Sequence, residues 1–241
     1  MIINKKNITF EVDDFIGCDN GWEFWDHVSN DLWEPHTFDI LYKFLDKEHS
    51  YLDIGAWIGP TVLFGSQLAK KCYAFEPDPT AFAVLNKNLN LNNKISNVQT
   101  SQLAISNING KLKMGSNSDN GDSMSSLLFN KNSSWEVNTT TLKECFNMFN
   151  ITDCNFIKMD VEGGESLILP EAKDFFKIHQ PTFYLALHTQ WMDDKSKFLE
   201  MVKDFCSIYK NLYNNKLEKI NIDDIDYLPT FTEILLTNKD L

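Results

Sequence analysis

Apolar positions along the chain fall into two alternating patterns. Residues 50–54 (SYLDI) make a short apolar run that stops at Gly55, which predicts a buried strand. Residues 59–70 read as a helix. Residues 72–75 (CYAF) read as a second strand halted by Glu76-Pro77, and 80–90 as a helix with Phe82, Leu85 and Leu89 in register. The alternation continues with a strand at 98–100, a short helix at 142–149, and a strand at 155–160 (NFIKMD) leading into a helix that starts near 163–165. A strand at 182–188 (TFYLALH), a helix at 195–209 and a last strand at 231–236 (FTEILL) complete it. Strands alternating with helices predict an α/β fold with a mostly parallel sheet and helices on both faces. Right-handed crossovers make such a sheet doubly wound, and its ligands bind beyond the carboxyl ends of the strands.

Two stretches break the alternation. Residues 1–48 are rich in aromatic side chains (Trp22, Phe24, Trp25, Trp33, Phe38), and Phe38, Leu41, Phe44 and Leu45 fall at helical spacing. This predicts an amphipathic, helical N-terminal cap. Residues 104–138 hold strand-like pieces at 111–114, 126–129 and 135–137 around a polar, turn-forming loop at 116–124. No internal repeat is visible.

Composition narrows the class. The 241 residues carry 34 acidic and 22 basic side chains, for a net charge of −12, and every basic residue is lysine. An acidic chain without a guanidinium is a poor match for a phosphate backbone, so nucleic acid is not expected as a partner. The five cysteines, Cys18, Cys72, Cys145, Cys154 and Cys206, are scattered with no CxxC pair. They indicate neither a disulfide framework nor a zinc site. No secretory h-region and no run of about 20 apolar residues is present, so a cytoplasmic protein without a membrane span is expected.

The chemistry concentrates at strand ends. Tyr51-Leu52-Asp53-Ile54-Gly55-Ala56-Trp57-Ile58-Gly59 is a strand running into a turn with glycines four apart. It is not the dinucleotide fingerprint G-x-G-x-x-G, and Asp53 faces a pyrophosphate badly but a cation well. Glu76 ends the second strand, where a carboxylate grips ribose hydroxyls. A ribose-bearing, cationic ligand without phosphate is S-adenosylmethionine. A nicotinamide-dependent oxidoreductase is the alternative enzyme class, and a non-catalytic scaffold that binds S-adenosylmethionine is the alternative outside enzymes.

The segments YLDIGAWIGPT, AFEPDP and IKMDVEGGE resemble, in order and spacing, the FkbM-type family of S-adenosylmethionine-dependent methyltransferases. Trp57 stands where the family's Asp-x-Gly-Ala-Asn-x-Gly motif has Asn. The resemblance implies a Rossmann-like class I methyltransferase fold over residues 49–241, a seven-stranded sheet with a reversed last strand, and O-methylation of a small molecule, sugar or glycan. It implies that Asp53, Gly55, Ala56, Trp57 and Gly59 line the methionine and ribose part of the cofactor and that Glu76 binds the diol. Pro77 and Asp78 border the adenosine, and Gln102, Leu103 and Ala104 hold the adenine. Glu34 lies near the cofactor's amino end.

Asp160-Val161-Glu162-Gly163-Gly164-Glu165 puts three carboxylates at the mouth of the implied site. Such a group can act as general base, hold a divalent metal, or cap the following helix, the role expected for Glu165. Asp160, which ends its strand, also borders the cofactor and is the expected catalytic carboxylate. His188 ends the neighbouring strand and is the expected catalytic histidine. No metal ligands are assigned. The 116–124 loop and the aromatic cap are where acceptor selection is expected.

Overall fold

The computed structural model describes residues 1–14, 21–116, 121, 123–128 and 133–241. The chain opens with a hairpin of β1 (Ile2–Lys5) and β2 (Ile8–Glu11), followed by α1 (Gly21–Ser29) and α2 (Pro35–Phe44). The alternating part begins with β3 (Ser50–Ile54), α3 (Pro60–Gly65), β4 (Lys71–Phe75), α4 (Pro79–Leu91) and β5 (Val98–Ser101). Next come β6 (Ala104–Ile105), β7 (Gly110–Ser116), β8 (Ser133–Thr140) and α5 (Leu142–Met148). The second half runs β9 (Cys154–Met159), α6 (Glu165–His179), β10 (Thr182–His188), α7 (Lys195–Cys206), β11 (Asn211–Asn214), β12 (Lys219–Ile220) and β13 (Phe231–Thr237).

The main sheet has the order β12-β11-β13-β10-β9-β3-β4-β5. Strands β5, β4, β3, β9 and β10 are parallel, and β13 runs antiparallel between β10 and β11. This is the expected class I arrangement with its reversed last strand, extended by the two-residue β12. Strands β3, β9 and β10 lie at its centre, so their carboxyl ends, at Ile54, Met159 and His188, open side by side on one edge. Buried aromatic and aliphatic side chains fill both faces, because central strands covered by helices on both sides carry continuous apolar runs.

Helices α2, α3 and α4 all begin with proline, whose fixed φ and missing N–H suit the first helical position. Helix α3 is shorter than expected and gives way to turns after Gly65. The N-terminal segment, expected as a helical cap, also holds the β1–β2 hairpin. Its Ile3, Phe10, Trp25 and Phe38 are buried in the same cluster as Tyr51 and Val62. Strands β6, β7 and β8 form a separate small sheet, with β6 parallel and β7 antiparallel to β8. Of the predicted 126–129 strand, Ser126 makes one bridge to Gly115, and Phe129 lies outside the described residues. Cys18 and the Trp22 side chain also lie outside them.

Leu235 is fully buried on β13, the strand that joins the parallel sheet to its antiparallel edge. Leu235→Ala is expected to cost about 3 kcal/mol in urea unfolding, as cavity-forming substitutions do. A loss below about 1 kcal/mol would show that β13 is not a core strand.

Candidate active site

The turn after β3 sets the floor of the site. Gly55 has φ +83°, and a Cβ there would stand 1.7 Å from the Asp160 carbonyl oxygen. The β3 and β9 ends therefore approach backbone to backbone, which only glycine permits. The Asp160 N–H donates to the Ile54 carbonyl (2.9 Å), and the Gly55 and Ala56 N–H groups both donate to the Phe75 carbonyl. Trp57 adopts a left-handed φ of +46°, uncommon for a bulky residue. Its N–H thereby donates to Glu76 Oε2 (2.8 Å), while its indole N–H donates to the Gly121 carbonyl (3.0 Å).

These ends surround a cavity of about 340 Å³, within the range of small-ligand sites. Of the residues expected at a cofactor, Glu34, Gly55, Ala56, Trp57, Glu76 and Asp160 line it. Pro77, Leu103 and Ala104 do so as well. Five expected residues are not among those lining it. Gly59 sits at the start of α3, and Gln102 is exposed. Asp78 is buried and caps α4, accepting from the Thr80 and Ala81 N–H groups, and its other oxygen accepts from the Gly121 N–H. Asp53 lies beneath the floor, where one oxygen accepts from the Tyr51 and Thr61 hydroxyls, each at 2.6 Å. His188 stands behind Asp160 and Glu162.

A buried lysine is the site residue that sequence reasoning passed over. Lys158, on β9, lines the cavity with its ammonium 3.4 Å from Asp160 Oδ2 and 4.0 Å from Asp53 Oδ1. The signal was present: a lysine inside the apolar run NFIKMD has to meet a buried carboxylate. Burial works to lower its pKa, but Asp160, Asp53, Glu34 and Glu233 together raise it above the ordinary lysine value. Glu34 and Glu233 are joined through the Thr37 hydroxyl, which lies 3.1 Å from the former and 3.0 Å from the latter. The other Asp53 oxygen is buried with no hydrogen-bond partner among the described residues.

The carboxyl groups respond to the same burial. It pushes Glu76 up to about 8, against the pull of the two backbone N–H groups that bind it. Glu34 is also pushed up to about 8, by burial and then by the charges of Glu233 and Asp160. His188 shows the opposite balance. Burial disfavours its charge, but hydrogen bonds to Glu162 and Glu165 and the nearby Asp160 raise it to about 11. Without an ion the ring is thus held toward its charged form, with Nδ1 2.9 Å from buried Glu165. Glu165 starts α6, as expected of a capping acid, but its side chain serves His188.

Packed around the mouth are Phe24, Trp33 and Trp57, with edge-on ring pairs at 4.7 Å (Phe24–Trp57) and 5.1 Å (Phe24–Trp33). Ser123 and Ser125 reach the cavity from the 116–124 loop, of which residues 117–120 and 122 lie outside the described residues.

The raised groups fix a sign for stability. Glu34 and Glu76, at about 8 against an ordinary 4.5, bind protons more tightly folded than unfolded. Their contribution is complete below 4.5 and lost as pH climbs through 8. His188 adds the same sign between 6.5 and about 11. The thermal midpoint of the ligand-free protein is therefore expected to fall steadily from pH 6 to pH 9. Glu34→Gln combined with Glu76→Gln should flatten the fall, and a midpoint that rises with pH in the unaltered protein would contradict these environments.

The sequence profile of the methyltransferase FkbM domain matches residues 53–213. Among solved structures, the fold is similar to methyltransferase FkbM from Methylobacillus flagellatus KT, with 15% identity, a TM-score of 0.50 and coverage of 80% of this chain. The chain spans 44% of that protein's length. An rRNA methylase from Streptococcus thermophilus gives 14% identity and a TM-score of 0.49, over 84% of this chain and 95% of that one. No match was found among curated proteins. The profile covers two thirds of the sequence, including the glycine turn, Glu76, Asp160 and His188, and displaces the oxidoreductase alternative: the chain belongs to the FkbM family of methyltransferases.

Proposed function

We propose that this protein transfers the methyl group of S-adenosylmethionine, the methyl donor of its family, to a hydroxyl on a small molecule, sugar or glycan. The observation that carries the reading is the wall of the cavity. Glu34, Glu76, Asp160 and Glu162 line it with a single buried ammonium, Lys158, among them. Carboxyl groups, once ionised, suit a ligand that is cationic at sulfur and donates from a ribose diol. They suit a phosphorylated ligand badly. The cavity volume fits a ligand of that size, and Gly55 and Ala56 line it with little side chain.

Bound S-adenosylmethionine supplies a methyl group on a good leaving group, so the chain's task is chiefly alignment and exclusion of water. Glu76 is held by the Trp57 and Asp78 N–H groups at 2.8 Å each, which fixes its carboxyl plane for the diol. Glu34 and Lys158 mark the end of the cavity that suits the donor's amino and carboxylate groups. Asp160, just beyond β9, lines the cavity where its carboxylate can orient the acceptor hydroxyl. His188, held by buried Glu165, stands beside Asp160 and Glu162. Phe24, Trp33 and Trp57 close the mouth to water and offer flat apolar faces to an acceptor. The net charge of −12 and the absence of arginine favour a neutral acceptor over an RNA.

Two outcomes are expected. Incubated with methyl-labelled cofactor, the protein should label hydroxyl-bearing metabolites or glycans and leave RNA unlabelled. Label in RNA alone would refute the acceptor class, and no transfer to any fraction would favour a binding scaffold. The Glu76 carboxyl must also ionise to accept the diol, so at pH 7 binding should release up to one proton. Affinity should then rise as pH passes from 6.5 to 8.5. Calorimetry in buffers of different ionisation enthalpy reads both effects. Glu76→Gln should weaken binding by about 10- to 100-fold, the loss of one or two hydrogen bonds to a charged acceptor, and abolish the proton release. Unchanged affinity in this variant would move the diol elsewhere.

A further inference from the structure

Three potential metal ligands on two adjacent strand ends share one geometry. His188 Nε2 lies 3.2 Å from Glu162 Oε1 and 3.6 Å from Asp160 Oδ1, and the three ligand atoms all fall within 4.8 Å of one another. Ligand atoms about 2.1 Å from a common ion stand about 3.0 Å apart in an octahedron and about 3.4 Å apart in a tetrahedron. The two spacings from His188 Nε2, to Glu162 and to Asp160, are close to those of ligands sharing one ion.

A second feature is independent of that spacing. Each of the three side chains has its remaining polar atom held by a different partner. His188 Nδ1 faces Glu165 Oε1 at 2.9 Å, Glu162 Oε2 accepts from the Trp191 indole N–H at 2.9 Å, and Asp160 Oδ2 faces the Lys158 ammonium at 3.4 Å. A carboxylate behind a histidine, which fixes the ring so that its other nitrogen faces the ion, is the usual outer shell of a metal site. Glu165 is fully buried, and its other oxygen has no hydrogen-bond partner among the described residues, so it has no visible task beyond holding this ring. Asp160 and Glu162 also line the cavity, which leaves the ion's other positions on the side where an acceptor enters.

We propose that Asp160, Glu162 and His188 form a binding site for one divalent cation at the carboxyl ends of β9 and β10. Two carboxylate oxygens with one imidazole nitrogen suit a first-row ion of the Mn²⁺ to Zn²⁺ range. The role of the ion in catalysis rests on the methyltransferase reading above. An acceptor oxygen drawn to the ion has a lower pKa. Its O–H bond breaks with the proton passing to water, and the oxygen's electron pair forms the new bond to the methyl carbon. The carbon–sulfur bond breaks to leave a neutral thioether.

The test uses the whole protein and Mn²⁺ alone, with binding followed by the loss of the free-ion signal in electron paramagnetic resonance. One Mn²⁺ per chain is expected. Glu162→Gln and Asp160→Asn should each weaken it by about tenfold or more, as should His188→Gln, while Asp226→Asn, in a surface ion pair with Lys203, should leave it unchanged. A melting curve on each variant verifies folding, and Asp160 and Glu162, both half-buried, are less exposed to failure on that count than buried His188. No Mn²⁺ bound at millimolar concentration would overturn the site, as would binding that Glu162→Gln and Asp160→Asn leave intact. Neither donor nor acceptor is present, so failure here leaves the methyltransferase reading standing. A protein that binds Mn²⁺ through these residues but transfers no methyl group would sink that reading and keep the site.

Discussion

The arrangement turns on one buried ammonium. Lys158 sits in the middle of a central strand with 4% of its surface exposed, and burial of an unpaired lysine is strongly unfavourable. Its position is tenable because four carboxyl groups from distant parts of the chain converge on it: Asp53 from β3, Asp160 beyond β9, Glu233 from β13 and Glu34 ahead of α2. Removing the cation would leave those acids facing one another in a poorly solvated space, the situation in which breaking a buried ion pair is most destabilising. The cluster thus ties the N-terminal segment, the parallel strands and the reversed strand to one point beneath the cavity.

That point also sets the character of the site. The cavity wall carries Glu34, Glu76, Asp160 and Glu162 against the one ammonium of Lys158, and so presents more acids than cations. Burial, helped by neighbouring charges, pushes Glu34 and Glu76 up to about 8, and His188 is raised by the three acids around it. Each is poised to change charge when a cationic or hydrogen-bond-donating ligand arrives. The backbone contributes by bringing two strand ends into contact at Gly55 and by turning Trp57 left-handed, so that its N–H meets Glu76. Most binding groups thereby stand in tight turns at the ends of central strands rather than on free loops.

Much of this was legible in the sequence, for physical reasons that differ by element. Strands β3, β9 and β10 announce themselves because central parallel strands are apolar on both faces. Gly55 and Glu76 were readable because a turn and a carboxylate at fixed strand ends leave few other jobs for those residues. The β1–β2 hairpin and β11 were not read: four-residue strands such as IINK and NLYN are too short and too rich in Lys and Asn to show a period. Asp78 shows a different limit. A carboxylate just after a strand can face a ligand or cap the next helix, and Pro79 with the Thr80 and Ala81 N–H groups drew it to the cap. Lys158 carried a visible anomaly, but Glu34 and Glu233 lie so far from it along the chain that only the folded sheet reveals the cluster.

Attraction from these carboxylates outweighs the desolvation of Lys158. A pH titration of its side-chain nitrogen by ¹⁵N NMR, assigned with Lys158→Met, measures that balance directly. The ammonium is expected to persist above the ordinary lysine value of 10.5. A nitrogen that loses its proton below that value, as burial alone would dictate, would contradict it.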